Sequence, residues 1–147
     1  MSRRVAALLL LAASAGIGAL PAIAGGPQAT LYKNPLCGCC AQYVAYLGRA
    51  GFHVAVVDTK ETEAVKREHA IPEHLYSCHT MVIAGYVVEG HVPLAALKKL
   101  LAERPDVRGI ALPGMPPASP GMGGAKTAPF VIYTIPKDGE PKPFMTM

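Results

Sequence analysis

The fold of this chain is constrained most by the order of its apolar strand-like and helix-like segments between residues 29 and 103. The predicted strands are "ATLYKNP" (29–35), "FHVAVVD" (52–58) and the two halves of "TMVIAGYVVEG" (80–90), and the predicted helices cover 41–50, 59–70 and 93–103. The helical segments repeat apolar residues with a helical period. Gly85 divides the last apolar segment in the manner of a hairpin turn. The resulting order is β-α-β-α-β-β-α.

This order predicts an α/β domain of the thioredoxin-like type. We expect the strand over 52–58 to be buried, and the helix over 59–70 to be a charged surface helix with Ala64 and Val65 facing inward. A Pro/Gly-rich loop follows at 112–129 and cannot form a regular element. The rest of the fold prediction is a C-terminal strand at 130–135, which the turn "KDGE" and the return "KPFMTM" would extend into a hairpin.

The first 24 residues have the pattern of a secretory signal peptide. Arg3 and Arg4 precede an apolar stretch, and Ala22 and Ala24 form the A-x-A pattern that signal peptidase accepts. A membrane anchor is the alternative, but the apolar run is short and is interrupted by glycine and proline. We therefore expect cleavage after Ala24, export to the bacterial periplasm, and a single domain at 25–147 with no stable membrane anchor.

The charge pattern argues against nucleic acid as a partner. The formal net charge is +4, and removal of Arg3 and Arg4 lowers it by two. The remaining basic residues are scattered and form no patch with interleaved aromatic residues. The sequence also contains no Ser-His-Asp order, phosphate-binding loop or paired-carboxylate site that would indicate hydrolytic or phosphoryl-transfer chemistry.

Three cysteines crowd into four positions of "CGCC", at the start of the first helix. Cys37 and Cys40 form a C-x-x-C pair, and a helix N-terminus lowers thiol pKa values, which favours both disulfide exchange and metal binding. Four cysteines in an exported chain normally indicate two disulfides, but a bridge between the adjacent Cys39 and Cys40 would be strained. Closely spaced thiolates favour Cu(I) or Zn(II), and Cys39 would then bridge metal ions. Zinc would favour a second C-x-x-C pair, which the sequence lacks.

Further candidate ligands flank the predicted hairpin. Cys78 and His79 lie just before its first strand, and His91 lies just after its second. Because a hairpin brings its open ends together, these residues should share one end of the sheet. If the first hairpin strand runs antiparallel to the 29–35 strand, that end is also the location of Cys37.

Two methionines in the Pro/Gly-rich loop could complete a soft ligand set. Met115 and Met122 stand in "PGMP" and "PGMG", where no periodic pattern requires an apolar side chain. Their thioether sulfurs are soft ligands, although packing over the core is an equally acceptable role. Together with the cysteines and histidines, they point to copper.

The motifs "YKNPLCGCC", "YSCHTMVIAGYVVEGHVP" and "LPGMPPASPGM" resemble those of exported, thioredoxin-like copper-binding proteins of the CopG copper-resistance type. The resemblance extends from Leu31 to Phe130. It implies a periplasmic role in copper resistance or homeostasis, and a site with several Cu(I) ions bridged by cysteine sulfurs. The metal ligands carried over by motif are Cys37, Cys39, Cys40, Cys78, His79, His91, Met115 and Met122.

Three functions remain open from the sequence. The first is a copper-binding protein that stores copper, exchanges it with other periplasmic copper-handling proteins, or interconverts Cu(I) and Cu(II) as an oxidoreductase. The second is a thiol-disulfide oxidoreductase with Cys37 as nucleophile and Cys40 as resolving thiol. Thioredoxin-type enzymes usually place a proline where this chain has Cys78-His79-Thr80, which disfavours it. The third is a small adaptor whose cysteines are all structural.

Overall fold

The computed structural model describes residues 26–147, so the predicted signal peptide and its cleavage site lie outside the described residues. Three α-helices pack on a seven-stranded sheet, which confirms the mixed α/β class; the thioredoxin-like assignment stays a prediction. The strands are β1 Gln28–Lys33, β2 His53–Asp58, β3 His79–Ile83, β4 Tyr86–Glu89, β5 Gly109–Ala111, β6 Val131–Ile135 and β7 Pro143–Thr146. The helices are α1 Gly38–Arg49, α2 Thr62–Glu68 and α3 Leu94–Glu103, and a 3-10 turn covers Glu73–Leu75. No helix in 26–147 is long and apolar enough to span a membrane.

The strand order across the sheet is β2-β1-β3-β4-β5-β6-β7. β1 pairs in parallel with β2 and antiparallel with β3, which confirms the direction on which the predicted convergence of ligands depends. The β3–β4 hairpin turns at Ala84 and Gly85, whose φ angles of 49° and 84° suit the tight turns that join twisted strands. β6 and β7 form the predicted C-terminal hairpin.

The sheet buries apolar side chains on both faces. On one face, α1 and α3 cover a large cluster that includes Leu31, Tyr43, Met81, Val88, Leu97, Leu100, Ile110 and Ile132. On the other face, a smaller cluster consists of Ile71, Leu75, Val87, Ala111 and Ile135. Neighbouring positions such as Val87 and Val88 belong to different clusters because successive strand side chains point to opposite faces.

Two strands differ from the sequence-based expectation. β2 is an edge strand with only β1 beside it, and Val56 and Val57 are 42% and 40% exposed, so the prediction of a buried strand is wrong. Its apolar run reflects β propensity rather than burial. β5 was not predicted because it has only three residues, Gly109–Ala111, which is too few for a periodic pattern.

Helix α2 also differs from its prediction. It is confined to Thr62–Glu68, and its buried residue is Lys66, whereas Ala64 and Val65 are only half-buried. The charged surface helix is therefore anchored by a lysine that points inward. A lysine is rarely buried without a partner, and here the partner is Glu89, at 2.7 Å.

Candidate metal centre

A tight turn between β1 and α1 places the first three cysteines. Cys37 N donates to Asn34 O at 2.9 Å, and Asn34 Oδ1 accepts from Leu36 N at 2.9 Å, so the chain reverses at once after β1. The helix begins at Gly38 with Cys37 as its N-cap, three residues earlier than the predicted start at residue 41. Cys39 and Cys40 consequently lie in the first helical turn, where the backbone N–H groups have no partner within the helix.

The other candidate ligands reach the same edge from the hairpin. Lys33, the last residue of β1, pairs with His79, the first residue of β3. Cys78 directly precedes His79, and His91 follows the end of β4 by two residues. The predicted meeting of these residues with Cys37 is confirmed, because antiparallel pairing sets the end of β1 beside the start of β3.

The four cysteine sulfurs form one compact group, within 4.8 Å of one another. Cys37 and Cys40 are joined by a disulfide, whereas Cys39 and Cys78 are free. Cys78 Sγ lies 3.5 Å from Cys40 Sγ and 4.0 Å from Cys39 Sγ, and Cys39 Sγ lies 3.5 Å from Cys37 Sγ. In the disulfide state Cys37 and Cys40 cannot act as thiolates, so the four-thiolate set requires reduction of that bond.

A second group shares Cys78 with the first. Cys78 Sγ lies 2.9 Å from His91 Nε2 and 3.4 Å from His79 Nδ1. The ligand atoms of Cys78, His79 and His91 also lie within 4.8 Å of one another. Cys78 therefore belongs to both a sulfur-only group and a sulfur–imidazole group.

Burial sets the protonation of this second group. Burial lowers the pKa of His79 well below its ordinary value, and the nearby His91 adds to the effect. Burial also lowers the pKa of His91, against a smaller raising effect from Pro120. Burial, followed by the neighbouring Cys39, raises the pKa of the Cys78 thiol to about 12. At neutral pH the imidazoles are therefore uncharged and ready to bind a metal, whereas Cys78 must release a proton to do so.

The Pro/Gly-rich loop orients His91. Its Nδ1 lies 2.6 Å from Pro120 O, and because a carbonyl only accepts, Nδ1 carries the proton and Nε2 is left free to face Cys78. The next residue, Gly121, has φ of +85°, and a Cβ there would lie 2.8 Å from both Cys39 O and Tyr43 N. The loop thus packs directly on the first turn of α1.

Tyr43 connects α1 to both histidines, a role that the sequence did not indicate because nothing in it distinguishes Tyr43 from an ordinary core aromatic residue. Its ring centroid lies 4.7 Å from that of His79 and 5.4 Å from that of His91. Its hydroxyl donates to Val92 O at 2.8 Å. The ring is completely buried and forms a wall of the imidazole group.

The two loop methionines occupy different environments. Met115 is 53% exposed, whereas Met122 is half-buried and follows the packed Gly121. Their assignment as metal ligands remains a prediction.

A buried ion pair behind the site was also missed. Glu89 and Lys66 are buried on the face of the sheet opposite to His79, and Glu89 accepts from Ser77 N at 2.6 Å. The sequence offered one indication that Glu89 has a special role, which is that a charged residue stands in the apolar run "GYVVEG". Lys66 carried no signal, because lysine is ordinary in a charged helix.

The donor set fits a soft metal ion. It consists of sulfurs and neutral imidazoles, which favour Cu(I) over hard cations. Among residues 26–147, no group forms a hydrogen bond with the buried His79 Nε2, but the ring nitrogen that lies beside Cys78 Sγ is Nδ1, which is therefore the His79 atom available to a metal ion in this group.

Comparison with known proteins is consistent with this chemistry. The model of the family described as protein of unknown function DUF411 matches residues 75–122. A solved structure of copper resistance protein CopG, form 2, is similar at 35% identity and a TM-score of 0.77, over 83% of this chain and 98% of the other. Form 1 of CopG is similar at 36% identity and a TM-score of 0.75, over 82% and 96%. No match was found among the curated proteins.

Proposed function

We propose that this chain, which belongs to the family of the copper resistance protein CopG, is a periplasmic protein that binds several Cu(I) ions in a cysteine-bridged site. The observation that carries the proposal is the position of Cys78, whose sulfur lies beside both the "CGCC" cysteines and the two buried histidines. A thiolate can bridge two soft metal ions, so a shared sulfur favours a multinuclear site over a single-ion one.

Anaerobic titration with Cu(I) tests this function. The full-length chain is produced in a bacterium, purified from the periplasm, reduced, and titrated against a chromophoric Cu(I) chelator. We expect more than one Cu(I) per chain, and a lower stoichiometry for Cys39→Ser and for His91→Ala. His74→Ala is the matched control, because His74 is an exposed histidine outside both ligand groups. Zero stoichiometry, or no loss in Cys39→Ser, would refute the proposal.

The export proposal rests on the N-terminal sequence alone. Mass spectrometry of the periplasmic protein should show a chain that begins at Gly25, as cleavage after Ala24 requires. A chain that retains the N-terminal segment and sediments with membranes would contradict it.

Interconversion of copper oxidation states is the finer form of the proposal. Oxidation of the Cys37 and Cys40 thiols to the observed disulfide releases two protons to solvent and two electrons. The two electrons can reduce two Cu(II) ions to two Cu(I) ions. Reduced protein mixed with Cu(II) should therefore yield two Cu(I) per disulfide formed, and Cys37→Ser should yield none by this route. Disulfide formation without Cu(I) production would exclude the reaction.

The Cys37–Cys40 disulfide at the N-terminus of α1 also favours thiol-disulfide exchange as a second candidate function. In that reaction the two thiols become a disulfide while a substrate disulfide becomes two thiols. Metal-free protein is assayed by insulin reduction. Turnover that depends on Cys37 but not on Cys39 would support exchange, whereas absence of turnover would exclude it.

A further inference from the structure

The Lys66–Glu89 pair is buried on the face of the sheet that α2 covers. Lys66 is 3% exposed and Glu89 is completely buried, and Lys66 Nζ lies 2.7 Å from Glu89 Oε1. A buried ion pair is weak evidence for stability, because removing two charges from water costs about as much as their attraction returns. The pair therefore needs an explanation other than stability of the fold.

The carboxylate of Glu89 holds both ends of a short segment. Oε1 accepts from Ser77 N at 2.6 Å, and Oε2 accepts from Thr80 Oγ1 at 2.7 Å. Lys66 Nζ also donates to Thr80 Oγ1, at 3.2 Å. Each carboxylate oxygen is thus bound to a different end of the segment 77–80, and Lys66 neutralises the carboxylate charge.

The segment held in this way carries two of the proposed ligands. Cys78 and His79 lie between Ser77 and Thr80, and His91 follows Glu89 by two residues. Thr80 pairs directly with Glu89 across the β3–β4 ladder, so both side chains point to the α2 face while His79 points to the α1 face. The carboxylate therefore ties the strand that leads to His91 to the segment that bears Cys78 and His79.

We infer that Glu89, with its charge neutralised by Lys66, is a positioning residue that fixes Cys78 and His79 relative to His91 for copper binding. This inference rests on the proposed copper-binding function. Glu89 acts through its hydrogen bonds to Ser77 N and Thr80 Oγ1, from the face opposite to the imidazoles.

Two double variants separate positioning from stability. Lys66→Leu/Glu89→Gln removes both charges but keeps an acceptor for Ser77 N–H, whereas Lys66→Leu/Glu89→Leu removes the acceptor as well. Leucine adds no sulfur or other metal ligand. Removal of both charges is often neutral for stability, but the Leu/Leu variant also leaves Ser77 N–H and the buried Thr80 hydroxyl without their carboxylate acceptors, and each such loss destabilises the folded state. Urea denaturation of each variant therefore accompanies the titration, and Cu(I) affinity is compared only between variants that are folded under the conditions of the titration. We expect the Gln variant to keep Cu(I) affinity close to that of the wild type, and the Leu/Leu variant to lose about 10- to 100-fold.

A readout without copper accompanies the affinity measurement. In the reduced, copper-free protein, the alkylation rate of Cys78 and the hydrogen exchange of the Ser77 amide should both rise in the Leu/Leu variant and stay near wild type in the Gln variant. If the Leu/Leu variant does not fold, Glu89→Asp is compared with the wild type instead. Aspartate keeps the negative charge, but its side chain is one methylene shorter, so the carboxylate is withdrawn from Ser77 N and Thr80 Oγ1.

The outcomes distinguish this inference from the function on which it rests. If wild-type protein binds no Cu(I), the proposed function fails and the inference fails with it. If the wild type binds Cu(I) and a folded Leu/Leu or Glu89→Asp variant binds it equally well, the positioning role alone is overturned. A drop in the Gln variant equal to that in the Leu/Leu variant would also overturn it, because the ion pair rather than the acceptor would then matter.

Discussion

Substitution of Gly121 by alanine should both destabilise the protein and weaken copper binding. Gly121 has φ of +85°, and its Cβ would lie 2.8 Å from Cys39 O and from Tyr43 N. The left-handed conformation costs alanine about 1–2 kcal/mol. The close contacts are with helix backbone, so the loop must move outward by about half an ångström or more to reach ordinary van der Waals distance.

That displacement pulls Pro120 away from His91. The hydrogen bond from His91 Nδ1 to Pro120 O is 2.6 Å long and joins a completely buried side chain to the loop. Its loss leaves a buried donor unpaired, which costs about 1–3 kcal/mol. Since the bond also aims Nε2 at Cys78, we expect the Cu(I) affinity to fall about 10-fold or more.

Gly114→Ala in the same loop is the matched control. Gly114 has φ of +66°, but a Cβ there meets no atom within 4 Å, so the variant has the conformational cost without the collision. Urea denaturation and competition for Cu(I) are measured on both variants. Gly121→Ala should be less stable than Gly114→Ala by about 1–3 kcal/mol, and it alone should bind Cu(I) more weakly. Equal unfolding free energies, or wild-type copper affinity in Gly121→Ala, would refute the link between loop packing and His91.

Three further outcomes are expected. Cys78→Ser should reduce the number of bound Cu(I) ions more than His91→Ala does, because Cys78 belongs to both ligand groups; equal stoichiometries in the titration would contradict the shared role. Because the pKa of Cys78 is raised to about 12, the thiol keeps its proton between pH 6 and 9. Copper must displace that proton, so Cys78 by itself should raise the Cu(I) affinity about tenfold for each unit of increase in pH. The slope of log affinity against pH should accordingly be one unit smaller in Cys78→Ser, and identical slopes would show that Cys78 releases no proton. Tyr43→Phe should lower the free energy of unfolding by about 1–3 kcal/mol, because Val92 O loses its buried hydrogen-bond partner; a urea midpoint equal to that of the wild type would exclude that contribution.

Much of the site could be predicted because its parts follow directly from local patterns. The apolar run split at Gly85 indicated a hairpin, and a hairpin brings Cys78, His79 and His91 to one end regardless of the rest of the fold. Cys37 lies at the same end only if the first hairpin strand runs antiparallel to the first strand of the sheet. The structure meets this condition, because β3 pairs antiparallel with β1. Soft side chains in this arrangement were enough to indicate copper.

The predictions from the sequence were wrong or incomplete where the burial or pairing of a residue depends on residues far from it in the chain. The apolar residues of β2 suggested a core strand, but the position of β2 at the edge of the sheet leaves them half-exposed. Lys66 looked like a solvated residue of a charged helix, and its burial follows from a carboxylate that lies 23 residues further along the chain. β5 was too short to give a periodic signal, although it pairs with both β4 and β6.

The sequence by itself determined the element order, the ends of the hairpin and the soft character of the donor atoms, because each depends on residues close together along the chain. Tertiary structure alone decided that Cys78 joins the two ligand groups, that Pro120 O orients His91, and that Glu89 ties the ligand segments together from behind. These relations depend on distances of a few ångströms between residues far apart in the chain. Such distances are set by how the strands pair and by which face each side chain occupies, and no local pattern encodes them.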